Sequence, residues 1–184
     1  VSDYDLSVFD RDFAMEGAEF VRRLMTPWGS IPNASGVLFR RNALTTIDWP
    51  GDDLKLCGDW LVYVRLLKKG DIVHIAQPMN YYRIHAVSVS RRYTGFQFIQ
   101  QSMIVQREMA QQVGLPIDEI LRRIGPRYAD IIVGDLSAGT AVAPLAQWPL
   151  AIRRGWQVAG SIAAGVAVRL IRQRARAFRR WLPR

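Results

Sequence analysis

The stretch that most constrains this chain runs from Gly58 to Ile75. Trp60, Leu61, Val64 and Leu67 recur at i, i+1, i+4 and i+7, one face of an α-helix, and Lys68-Lys69-Gly70 closes it with the basic residues and glycine that suit a helix C-terminus. Asp71-Ile72-Val73-His74-Ile75 follows at once and reads as a strand. A helix passing straight into a strand sets the expected class as α/β.

The flanking sequence fills in that outline. Phe13, Phe20, Val21 and Leu24 predict a helix within residues 1–30, closed by Pro27-Trp28-Gly29. Ser35-Gly36-Val37-Leu38-Phe39-Arg40 predicts a short buried strand, and Pro50-Gly51-Asp52-Asp53 a flexible loop that delivers the chain to Gly58-Asp59. Pro78 bends the chain into a second extended piece, Met79 to Arg83. Beyond Thr94 the pattern is helical: one helix over Phe96 to Val113 stopping at Gly114, another starting at Pro116 ahead of Asp118-Glu119, and a further run beginning at Pro126.

The formal net charge of +9 suggests nucleic acid until it is located along the chain. Nine arginines and no acid lie in 151–184, leaving 16 basic and 16 acidic residues in 1–150. The charge therefore belongs to the tail, and without aromatic interleaving across the body it argues against nucleic-acid binding. Cys57 is the only cysteine, which excludes an internal disulfide and a thiolate zinc cluster and fits a reducing cytoplasm.

Two places carry residues suited to chemistry. Asp59 stands at the start of the predicted helix, where a carboxylate accepts backbone N–H groups and is favoured by the helix dipole. It reads either as an N-cap or as a general base held at the mouth of a site, and the two roles are compatible. Arg83 and His85 are two apart at the end of an extended segment and share a face; the arginine fork suits phosphate oxygens, and the histidine suits a diphosphate or a divalent cation, while a surface arginine beside a half-buried histidine is the plainer alternative. Ser88, Ser90, Arg91 and Arg92 carry a weaker signal of the same kind, and Ser35-Gly36 would let a ligand approach the backbone closely. His74 reads as a strand residue without a role. No phosphate-gripping glycine loop, zinc-protease helix or nucleophile elbow is present.

The order of these pieces is more specific than any one of them. Ile31-Pro32-Asn33-Ala34-Ser35-Gly36-Val37-Leu38-Phe39-Arg40-Arg41-Asn42-Ala43-Leu44, then Cys57-Gly58-Asp59-Trp60, then Gln77-Pro78-Met79-Asn80-Tyr81-Tyr82-Arg83-Ile84-His85 resembles the acceptor-side half of bacterial family 2 glycosyltransferases, over about residues 15–92. The resemblance implies a partial GT-A-like domain in 1–92, followed by a helical extension in 93–150 and the basic tail in 151–184. It implies an inverting enzyme moving a sugar from a nucleotide-sugar donor to a glycan or lipid-linked acceptor. Asp59 would be the catalytic base, Trp60, Ser35 and Gly36 the acceptor side, and Arg83 and His85 the donor diphosphate side. A divalent metal, Mg or Mn, is implied as cofactor, with His85 a candidate ligand. In that family the nucleotide-binding strands and an Asp-x-Asp motif come earlier than the matched region. Asp3-Tyr4-Asp5 and Asp10-Arg11-Asp12 have the spelling but follow no apolar strand. The chain is thus expected to be part of a longer enzyme and inactive without the donor half.

In the tail, Arg169, Arg172, Arg176 and Arg179 fall on one helical face, opposite Leu170, Ile171, Phe178, Trp181 and Leu182. A basic amphipathic helix edged with Trp fits an anionic membrane surface, and equally a helix packed on protein with its arginines solvated. The competing function is accordingly a non-catalytic adaptor at a membrane surface.

Overall fold

The computed structural model describes residues 6–26, 30–32, 34–81, 93 and 95–138. The Pro27-Trp28-Gly29 breaker, Asp3-Tyr4-Asp5, Arg83, His85, the Ser/Arg residues at 88–92 and the whole 151–184 tail lie outside them. The architecture is mixed but dominated by helix. A 3-10 turn over Leu6–Asp10 leads into strand β1 (Phe13–Met15), then α1 (Gly17–Phe20), which runs on as a π-helical stretch over Val21–Met25. A 3-10 turn at Ala34–Gly36 and the short α2 (Arg41–Leu44) precede α3 (Gly58–Leu67) and strand β2 (Ile72–His74). Two long helices follow, α4 (Gly95–Val113) and α5 (Ile117–Ser137).

The helix-to-strand unit predicted at Gly58 to Ile75 is present as α3 and β2. β2 pairs with β1 in an antiparallel ribbon, with Phe13 opposite His74, Ala14 opposite Val73 and Met15 opposite Ile72. Period-2 alternation turns Phe13, Met15, Ile72 and His74 inward while Val73 stays exposed. His74 is not idle: its Nε2 lies 3.0 Å from the Phe9 carbonyl and its ring stacks on Phe13, which ties the ribbon to the N-terminal turn. Asp12 accepts the Ala76 N–H at 2.8 Å, so the Asp10-Arg11-Asp12 triplet helps close this same end of the ribbon.

One apolar core joins the regions on either side of residue 92. Phe20, Val21, Leu24 and Met25 meet Leu61, Val64 and Leu67 of α3 and Val105, Met109 and Val113 of α4. A second cluster of Ile99, Leu121, Ile124, Tyr128 and Ile132 holds α4 to α5. Side chains of this size contribute about 1.5–3 kcal/mol each when fully buried. Gly114, at φ 65, ends α4, and the Leu115 N–H reaches back to the Ala110 carbonyl at 3.1 Å, the six-to-one bond of a glycine-terminated helix.

Three expectations are corrected. The first helix begins at Gly17, because Phe13 and Met15 face the core through strand geometry rather than a helical turn. Residues 35–40 form no strand: Ala34–Gly36 is a 3-10 turn, and Val37 and Phe39 pack on the core while Leu38 is 99% exposed, so the alternation exists without a neighbouring strand to ladder with. Pro126 does not start a helix but sits inside α5, where the missing N–H is tolerated because Ile124 and Tyr128 are buried on either side of it. Among the described residues no helix is long and apolar enough to cross a membrane.

Candidate active site

The mouth of α3 is assembled by the loop before it. Lys55 and Asp52 form an exposed ion pair in that loop, and the Leu56 N–H donates to Oε1 of Gln101 on α4 at 2.7 Å, fixing the approach of the chain one residue before Cys57. Cys57 is the N-cap residue, caps nothing with its side chain, and is wholly buried. Burial pushes its thiol up to about 12, reinforced by the nearby Asp59 carboxylate and opposed by Arg127, so at neutral pH it stays a neutral thiol rather than a thiolate nucleophile.

Asp59 is therefore not the N-cap. It is the second residue of α3, half-buried, and its Oδ1 accepts the N–H of the following residue, Trp60, at 2.9 Å. Desolvation raises its carboxyl above the ordinary aspartate value, and the backbone N–H groups of Trp60 and of Asp59 itself pull the other way. A carboxylate tuned upward by burial, yet reachable from water and carried on a ten-residue helix, has the setting a general base requires.

One turn further along, Tyr63 occupies the position that shares a face with Asp59. It is 3% exposed, and its hydroxyl has no hydrogen-bond partner among the described residues. Burial raises the phenol to about 12, and the Asp59 charge adds to that shift. The Tyr63 ring stacks on Phe39 with centroids 6.1 Å apart, which brings the segment following Ser35 and Gly36 against the second turn of α3. Ser35 and Gly36 themselves lie exposed in the 3-10 turn. Trp60 is half-buried and meets the Phe98 ring edge-on at 5.8 Å, so its indole anchors α3 on α4.

Tyr63 and Arg127 are the members of this neighbourhood that motif reading missed. Tyr63 was findable, since i+4 from Asp59 places it on the same helical face. Arg127, on α5, was not: its guanidinium is half-buried, lowered by desolvation and held up by Tyr128 and Cys57, and only the packing of α5 brings it near Cys57. Among the described residues no group of three or more His, Cys, Asp or Glu side chains could hold a metal ion. His85, the candidate ligand of the implied divalent metal, lies outside the described residues. Comparison with family models, with curated proteins and with solved structures yields no match.

Proposed function

We propose that Asp59 is the base of an inverting sugar transfer and that the mouth of α3 receives the acceptor hydroxyl. The observation that carries the reading is a carboxyl raised by burial at the first turn of a ten-residue helix, in a sequence that orders Ser35-Gly36, Asp59-Trp60 and Tyr82-Arg83-Ile84-His85 as the resemblance expects. In the proposed step the acceptor oxygen attacks the anomeric carbon of a nucleotide-activated sugar while its proton passes to Asp59. The bond from that carbon to the diphosphate oxygen breaks, and the electron pair leaves with the diphosphate. A single displacement inverts the anomeric centre. By the resemblance, Arg83 and His85 serve the departing diphosphate, where an arginine fork offsets growing charge. A glycan or lipid-linked acceptor fits a base that sits at a helix mouth rather than in a closed pocket.

Asp59→Asn tests this in the enzyme that includes the donor-binding half. Positioned general bases contribute about 10²–10⁴-fold, so turnover falls by that factor while nucleotide-sugar affinity stays within about twofold. Turnover within a few fold of wild type removes Asp59 from the mechanism.

A further inference from the structure

Two buried tyrosine hydroxyls lie among the described residues and only one is satisfied there. Tyr128 bonds Ser102 at 2.7 Å, whereas the Tyr63 hydroxyl is sealed from water without a partner. A buried donor left unmade is expensive, and native folds seldom keep one without a use for it. Helical side chains lean toward the helix N-terminus, onto the residue four positions earlier, and for Tyr63 that residue is Asp59. One face of the ring is covered by the stack on Phe39.

We propose that Tyr63 is the positioning residue of Asp59: its hydroxyl donates to the Asp59 carboxylate when that group is ionised and is released when the carboxyl takes up a proton. The inference rests on Asp59 being the base. It adds a function for the orphan phenol: the donor steadies the ionised base before attack, and proton uptake from the acceptor breaks the bond and leaves the phenol unpartnered again. The phenol has no exposed hydroxyl surface, so it acts through Asp59 and not on the acceptor.

The charged groups around the pair leave this partnership intact. Cys57, just ahead on the chain, stays a neutral thiol. Arg65 of α3 is engaged in a two-pronged pair with Glu108 of α4, at 2.9 and 3.2 Å. Glu19 of α1 pairs with Arg23 at 2.8 Å on the surface. From α5, Arg127 acts on Cys57 and Tyr128.

The test is a pH titration of the full chain by carbon NMR, following the Asp59 carboxyl and the Tyr63 ring carbon bearing oxygen. Tyr63→Phe keeps the ring and its stack but removes the donor, and raises the Asp59 midpoint by about 1–2 pH units, the shift expected for one hydrogen bond to a charged group. In the wild type the Tyr63 carbon carries an inflection at the Asp59 midpoint, and Asp59→Asn abolishes it. An unmoved midpoint in a folded Tyr63→Phe protein overturns the proposal, as does a Tyr63 signal that is flat through that midpoint. Should Tyr63→Phe fail to fold, the second comparison decides alone. Neither readout uses turnover, so a coupled pair in an enzyme indifferent to Asp59→Asn would sink the base assignment and leave the hydrogen bond standing.

Discussion

The two ends of α3 are built to opposite standards. At its C-terminal end Leu67 is buried, the Lys68 and Lys69 N–H groups return to Val64 and Leu66 carbonyls, and Gly17 lies against the carbonyls of Leu67 and Gly70 so closely that a Cβ there would sit 2.0 and 2.2 Å from them. Arg65 clamps α3 to Glu108, and Lys69 donates to the Thr46 carbonyl. At its N-terminal end a half-buried carboxyl, a protonated thiol and an orphan phenol share the first two turns. Every polar group named at the first end has a partner, so that end holds the fold. At the other end the Tyr63 hydroxyl is buried with no partner among the described residues, so polar satisfaction falls away along the ten residues of α3.

The closed end yields the largest expected loss. In Gly17→Ala the new methyl meets main chain that cannot swing away, and unfolding in urea should show a loss of more than about 2 kcal/mol. A change within about 0.5 kcal/mol would mean that this end is not fixed by close approach, and the contrast would lose one side.

The two tyrosines sharpen the contrast at smaller amplitude. Ser102→Ala leaves the Tyr128 hydroxyl buried without its partner and should lower stability by about 1–3 kcal/mol. Measured below the Asp59 midpoint, where the protonated carboxyl leaves the phenol unpartnered, Tyr63→Phe should change stability by less than about 0.5 kcal/mol or raise it. Equal losses from the two variants would show that the Tyr63 hydroxyl is bonded in solution at all pH values.

In the well-packed region Gln106 is wholly buried on α4 with neither amide atom partnered among the described residues, and the half-buried Gln112 on the same helix shares that state. Gln106→Met keeps the length and removes the unmet polarity, and thermal unfolding should rise by an amount equivalent to about 1 kcal/mol. A loss of similar size would place a bound water or another partner on that amide.

Much of this contrast was legible in the sequence. The Trp60, Leu61, Val64 and Leu67 face, the Lys68-Lys69-Gly70 stop and the Gly114 terminus are local signals, and each element formed where its pattern lay. Asp59 stood out for the same reason, although its place one residue inside the helix depended on Cys57 taking the cap position. What failed was non-local. Whether Val37 to Phe39 ladders depends on a neighbouring strand, and whether Pro126 breaks a helix depends on what Ile124 and Tyr128 pack against. The Asp59, Tyr63 and Phe39 grouping is half local, since helical spacing joins the first two and only tertiary packing adds the third.

The central claim is that α3 holds the Asp59 carboxylate against the interest of the fold. Its most direct test is the unfolding free energy of wild type and Asp59→Asn, measured in parallel as pH rises through the carboxylate range. A raised native value means that the unfolded chain ionises Asp59 first; the wild type is then fully stable below the unfolded value and loses stability up to the native one. Asn keeps an acceptor for the Trp60 N–H without the charge. The two proteins should therefore match at the acid end, and Asp59→Asn should be the more stable near neutrality, by less than about 1 kcal/mol because a half-exposed carboxylate stays screened by water. An Asp59→Asn protein that is less stable near neutrality would make Asp59 a structural anchor of α3 and contradict the account.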